Sequence, residues 1–333
     1  MKNYKIVNAT NLFHNLKQFQ SKKVCAMVKS NAYGHGIKEI VSLLSDKVDY
    51  FGVVSEIEGA QVRRWTDKPI MICGRVYDYR ICKKHNLEFM VENLEDVQRA
   101  INFGVGDKCH LKINCGMNRF GTKDEKQIDL LDKFLRENKI RLKSIYTHFH
   151  FIENKRETEK NYQTFLKLRK HISQNCAICF GGSNIIDYPF DFDMIRVGIG
   201  LYGYERDGVL PVMKIVSYIA KIFYVNAGEY VGYGTQYQAT HSGFYAVVPI
   251  GYGDGLFRSL GDQFAVQING KRFDVVGNIC MDVFFVRIDD SVAVGDQVIV
   301  MQNADDIAKK LGSISYEVLT NFSKCRATTK IEQ

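Results

Sequence analysis

Lys29 closes an apolar run, Val24-Cys-Ala-Met-Val28, and is followed at once by Ser30-Asn-Ala-Tyr-Gly-His-Gly36. A lysine delivered by a buried strand loses hydration, which lowers its pKa and frees the amine. A free amine is the nucleophile that forms an imine with a carbonyl cofactor. Alone, a strand-end lysine is ordinarily a side chain reaching back to water beside a turn. The residues after it change the reading: Tyr33 adds a phenol, and Gly34 and Gly36 add flexible backbone able to approach a phosphate.

Other residues could join that chemistry. Arg196 lies in Met194-Ile-Arg-Val-Gly-Ile-Gly-Leu-Tyr-Gly203; a strand arginine among apolar residues needs a buried partner. In Lys112-Ile-Asn-Cys-Gly-Met-Asn-Arg119 two cations share one strand–loop segment, which calls for an anion nearby. Ser183 follows the seventh strand candidate, where barrels commonly hold phosphate. Later come Tyr233 in Val-Gly-Tyr-Gly, Tyr252 in Gly-Tyr-Gly-Asp-Gly, Met281-Asp282 and Tyr316. With eighteen tyrosines in the chain, each alone is more often core or surface, so their ordered set carries the weight.

Such residues need a scaffold that converges on them. Short apolar segments at 24–28, 50–54, 70–73, 88–91, 109–114, 144–148, 177–181 and 194–197 alternate with helix-like stretches such as 93–103, 124–138 and 155–174. This predicts an α/β fold, either a closed parallel barrel or an open doubly wound sheet. Lys29, His148, Ser183 and Arg196 all fall at or just past strand ends, and only a barrel gathers those ends around one mouth, so we expect a (β/α)8 barrel over 1–210. After about residue 210 the segments 212–225, 244–250, 264–268, 272–276, 283–288 and 297–301 read as β, with Asn269-Gly270 as a hairpin turn and helices at 304–311 and 315–322. Residues 211–333 are predicted to form a second, mostly β domain.

Composition sets limits. The 333 residues are 46% hydrophobic and 25% charged, as in an ordinary globular protein. The net charge of +8 is spread along the chain, unlike the clustered face a nucleic acid needs. Nine cysteines without zinc spacing, a start without a secretory leader and no apolar span point to reduced thiols in a cytoplasmic protein, with neither a metal nor a membrane.

The run around Lys29 closely resembles the cofactor-lysine motif of the alanine racemase family, fold-type III pyridoxal phosphate enzymes. The resemblance extends over residues 4–326 through the blocks around Lys112, His148, Ser183, Arg196, Tyr233, Tyr252, Met281 and Tyr316. It implies pyridoxal 5'-phosphate bound through Lys29, with Tyr33, Ser183, Gly198, Ile199 and Tyr316 on its phosphate and Arg196 on its pyridine nitrogen. Arginine cannot readily give up a proton, so it leaves that nitrogen unprotonated, which favours racemisation over transamination. Swapping configuration needs a proton donor and an acceptor on opposite faces of one carbon; Lys29 and Tyr233 are the expected pair. By the same resemblance His148 links Tyr233 to Arg196, a carbamylated Lys112 orients Arg119, and Arg119, Tyr252, Met281 and Asp282 receive the substrate. Tyr233 comes from the other subunit of a head-to-tail homodimer. The expected activity is L-alanine to D-alanine conversion for peptidoglycan biosynthesis. A broad-specificity, serine or lysine racemase is the alternative, and a non-catalytic pyridoxal phosphate-binding protein would lack the second domain. The chain departs from the family at Asn114-Cys115, in the block Cys179-Phe180-Gly181-Gly182, where family members often have a histidine, and at Lys324-Cys325-Arg326-Ala327.

Overall fold

The computed structural model describes residues 2–333. The chain enters through β1 (Tyr4–Asn8) and then forms a closed parallel barrel of eight strands. These are β2 (Lys23–Met27), β3 (Tyr50–Val53), β4 (Ile70–Ile72), β5 (Glu88–Val91), β6 (Cys109–Lys112), β7 (Ser144–His148), β8 (Ala177–Gly181) and β9 (Met194–Val197). Pairing of Cys25 with Arg196 closes the ring between β2 and β9. Continuous apolar runs suit this place, because parallel barrel strands are covered on both faces. Helices such as Leu94–Asn102 and Glu125–Glu137 cover the outside, and Asn93 and Asp124 cap their first turns by accepting backbone N–H bonds.

The second unit is one nine-stranded sheet in the order β11-β12-β15-β14-β13-β16-β10-β1-β17. Its strands are β10 (Met213–Tyr218), β11 (Lys221–Val225), β12 (Gly243–Val248), β13 (Ala265–Ile268), β14 (Lys271–Val276), β15 (Phe284–Ile288), β16 (Gln297–Met301) and β17 (Thr328–Glu332). Asn269 (φ 49°) and Gly270 (φ 79°) make the β13–β14 turn with both central residues left-handed, as a tight hairpin requires.

Three expectations are corrected. The segment 212–225 is two strands: at Ile219 the chain bonds Asp296, and at Ala220 it bonds Val247, so it leaves one neighbour for another. The helix expected over 155–174 ends at Arg169, whose guanidinium donates to the carbonyls of Ile172 and Gln174 and turns the chain. Finally, β1 and β17 went unread; β1 lies between β10 and β17, so residues 4–8 belong to the second sheet although they precede the barrel.

Gly34 marks the seam between the two units. It is left-handed (φ 81°), its carbonyl accepts from the buried Lys5 amine (2.8 Å), and an added Cβ would strike the carbonyl of Leu319 on the helix Ser315–Asn321. Gly270, also left-handed, has open space there. Gly34→Ala should therefore lose about 2 kcal/mol or more, and Gly270→Ala only about 1, from backbone strain alone. Denaturant unfolding of both variants checks this; equal losses would remove the crowding at the seam.

Candidate active site

Lys29 stands two residues beyond β2, at the barrel mouth where strand ends converge. The chain then makes a left-handed turn: Ser30, Asn31, Ala32 and Tyr33 have φ of 52°, 55°, 53° and 52°. Each non-glycine residue held there costs roughly 1–2 kcal/mol, so the turn must be fastened from outside. Several bonds fasten it. The Asn31 carboxamide oxygen accepts the Ile37 N–H (2.9 Å), a Glu58 carboxylate oxygen accepts the Ser30 N–H (2.7 Å), and the Gly36 N–H donates to the Asn31 carbonyl (2.9 Å). His35 is fully buried, with Nδ1 3.1 and 3.0 Å from the carbonyls of Ala32 and Tyr33. Burial pushes its imidazole down to about 3, so it is neutral and Nδ1–H donates.

The turn borders a cleft of about 410 Å³, a size typical of small-molecule sites. Lys29, Lys112, Arg119 and Arg196 all line it, and among the described residues no carboxylate does. A larger groove of about 650 Å³ on the second unit has no histidine, tyrosine or cysteine in its lining, and its two lysines, Lys309 and Lys310, are exposed.

The concentrated charge governs the titratable groups. Burial first, then the charges of Arg119 and Arg196, hold the Lys29 amine below its ordinary value, while Cys73 and Glu58 act the other way. Lys112 is pushed down to about 8 by burial, then by Arg196 and Arg119. His148 falls to about 3 from burial and the surrounding cations, so its imidazole is neutral. Tyr33 is held well above the usual phenol range by burial.

Arg196 has the buried partners expected of it, and among the described residues none of them is ionic. Its guanidinium instead donates to the Thr147 carbonyl (2.7 Å) and to the Cys179 sulfur (3.1 Å), and lies 4.4 Å from the centre of the Tyr146 ring. Burial raises the Cys179 thiol to about 11, so that acceptor is neutral and the arginine keeps its full charge. Lys112 and Arg119 likewise have no ion-pair partner among the described residues; Lys112 Nζ sits over Phe120 and Tyr146, 5.3 and 5.6 Å from the ring centres.

The remaining cleft residues fall as the sequence suggested. Ser183 Oγ accepts the Gly200 N–H (3.1 Å), which joins the loops after β8 and β9, with Gly198 and Ile199 alongside. Tyr316 reaches in from the second unit, with its hydroxyl donating to Glu205 (2.7 Å) and its ring 6.0 Å from Tyr33. Tyr146, Cys73 and Phe120 also line the cleft and were missed. Tyr146 lies in the expected strand 144–148, two residues before His148, and the strand alternation that points both to one side was the available signal.

Tyr233, Tyr252, Met281 and Asp282 are elsewhere. They line a separate hollow that shares no residue with the cleft. Tyr233 is 74% exposed and Met281 55%. Arg326 organises one rim: it forks onto Asp254 (2.7 and 2.8 Å) and also pairs with Asp282 (2.8 Å). A single chain thus does not bring Lys29 and Tyr233 face to face.

The barrel, the strand-end amine and the cationic mouth form a site suited to an anion. Residues 7–206 match the profile of the alanine racemase N-terminal domain, and residues 212–330 match that of the C-terminal domain. The alanine racemase of Clostridium kluyveri is 30% identical, spanning 94% of this chain and 90% of its own length; that of Francisella philomiragia is 28% identical, spanning 90% and 91%. The solved alanine racemase of Clostridium difficile superposes with a TM-score of 0.93 at 32% identity, covering 100% of this chain and 96% of its own. That of Acinetobacter baumannii gives 0.86 at 28% identity, with 100% of both chains covered. The chain belongs to the alanine racemase family, and it is an isomerase.

Lys112 yields a prediction of opposite sign for stability and function. Its folded pKa lies below its unfolded value, so the unfolded chain binds the proton more tightly. The penalty is full below pH 8 and is relieved as pH rises from there towards 10.5. Lys112→Met should stabilise the fold at pH 7 by roughly 1–3 kcal/mol while lowering activity. Unfolding midpoints at pH 7 and 10 check it; a destabilised variant at pH 7 would show that the amine is well paired.

Proposed function

We propose that the protein racemises a small amino acid, alanine first, using pyridoxal 5'-phosphate bound in the cationic cleft. Three observations support the fit. An added Cβ at Gly198 would strike the Tyr33 hydroxyl, and one at Gly181 would strike both Arg196 and His148, so both glycines leave room that a side chain would fill. The Tyr146 hydroxyl is buried without a hydrogen-bond partner beside the cleft. The donor set is a phosphate cradle of Tyr33, Ser183, Gly198, Ile199 and Tyr316, with an uncompensated guanidinium at the other end. When bound, the cofactor acidifies the substrate's α-proton by delocalising the charge left behind.

The chain's own residues do the rest. Lys29, its proton loosened by burial first and then by neighbouring cations, gives or takes the α-proton on one face. The partner subunit's Tyr233 serves the other face. Arg196 would present its full positive charge to the ring nitrogen, and neutral His148, beside Arg196, would serve as a relay without charge of its own. Arg119 grips the substrate carboxylate. A Lys112 amine with a pKa near 8 is partly free at neutral pH and open to carbamylation, which would supply Arg119 with its missing anion.

We expect a homodimer, a reading that the exposed position of Tyr233 supports. In this reading residues 1–210, joined by Tyr316, bind the cofactor, and residues 211–333 also bring Tyr233, Tyr252, Met281 and Asp282 to the partner's cleft. We place the protein in the cytoplasm, in keeping with its nine free cysteines.

Chiral chromatography after incubation with pyridoxal phosphate and single L-amino acids tests the reading. D-alanine should form; turnover of serine or lysine without alanine would move the substrate, and turnover of none would end it. Tyr233→Phe should cut kcat about 10²–10⁴-fold with the cofactor still bound. Lys29→Ala and Tyr233→Phe chains, each nearly inactive, should regain roughly a quarter of wild-type activity after mixing and re-pairing, because half the dimers then carry one intact site. No recovery would place both residues on one chain.

A further inference from the structure

Among the described residues, no carboxylate lines the cleft, yet one touches the turn that presents the amine. Glu58 lies in the helix Glu56–Val62, which follows β3. One carboxylate oxygen accepts the Ser30 N–H (2.7 Å), directly after Lys29, and the other accepts the Val54 N–H (2.9 Å) at the end of β3. A single side chain thus ties the loops after two neighbouring strands. Ser30 is exposed and begins the left-handed turn, so its N–H has no interior partner to replace Glu58.

We propose that Glu58 is a positioning residue for Lys29: its carboxylate pins the turn that carries the lysine and supplies the negative charge facing the amine from behind. This rests on the reading of Lys29 as the reacting amine. The permanent charges around that amine are otherwise all positive. Arg119 and Lys112 face it from β6 and its loop and Arg196 from β9; the Cys73 thiol after β4 also faces it, while burial raises the phenols of Tyr33, Tyr146 and Tyr316 and lowers the His148 imidazole to about 3, which keeps them neutral. Without an anion behind it, Lys29 would lose its proton too readily to hold one for delivery. With an anion lining the cleft, the site would repel the anions it binds. A carboxylate behind the turn meets both demands.

Glu92 does the same for the second lysine. It accepts the Gly121 N–H in the loop after β6 and favours the charged form of Lys112. The two lysines are thus backed in one manner, by acids that hold loop backbone instead of entering the cleft.

The test reads the amine directly. The full chain is freed of carbonyl cofactor with hydroxylamine, labelled competitively with acetic anhydride across pH 6–11, and the labelling midpoint of each lysine is followed by mass spectrometry. Removing an anion destabilises the protonated amine, so E58Q should lower the Lys29 midpoint by about half a unit or more and leave Lys112 in place. E58D keeps the charge but is one methylene too short to span both N–H groups; its midpoint should stay near wild type while Ser30 amide exchange accelerates at least about tenfold. A Lys29 midpoint unchanged in E58Q overturns the proposal. Should E58Q not fold, hydrogen exchange in the unaltered chain decides: the Ser30 amide should be protected, and exchange at the free-peptide rate overturns it. None of these readouts needs turnover, so a chain that racemises nothing would fail the functional reading without disturbing this test.

Discussion

Like charge brought together in a small space is the constraint on which the molecule depends. Lys29, Lys112, Arg119 and Arg196 share one cleft of about 410 Å³. Two unit charges about 7 Å apart repel by roughly 2 kcal/mol at an effective dielectric of 20. Burial, reinforced by that repulsion, loosens the protons on the lysines and keeps His148 neutral. Nothing lining the cleft cancels it, so the repulsion remains until an anion enters.

The scaffold must resist that repulsion. A closed barrel does so because the four cations are carried by three strands or their following loops, β2, β6 and β9, and the ring of backbone hydrogen bonds prevents the strands from spreading. The weakest point is the turn after β2, where four residues without glycine's freedom are held left-handed. Its fastenings come from three directions: Glu58 beside it, His35 beneath it, and the helix of the second unit that packs on Gly34. The second unit thus supports the first chain's amine while presenting its own tyrosines outward.

Much of this was legible in the residues. The barrel strands 88–91, 144–148, 177–181 and 194–197 coincide with those observed, because continuous apolar runs between polar breaks have few other places to go. The mouth residues were legible for the same reason: a polar residue ending such a run must lie at a strand end. The sheet edges were less so. Tyr4–Asn8 and Thr328–Glu332 are short and half polar, and they are strands only because each lies beside a neighbour distant in sequence. Cys179 was seen as a departure, but its sulfur as an acceptor for Arg196 depends on a side chain reaching across from β9 to β8.

Sequence alone determined the strand-by-strand order of the barrel, the amine at the end of its first strand and the set of cations and phenols at the site, since these follow from local hydrophobic pattern and residue chemistry. Tertiary structure decided which of them meet. It separated Tyr233 from Lys29 within one chain, left Arg196 without a countercharge and set Glu58 behind the turn. Those outcomes depend on distances between residues far apart in the chain, and no local pattern encodes such distances.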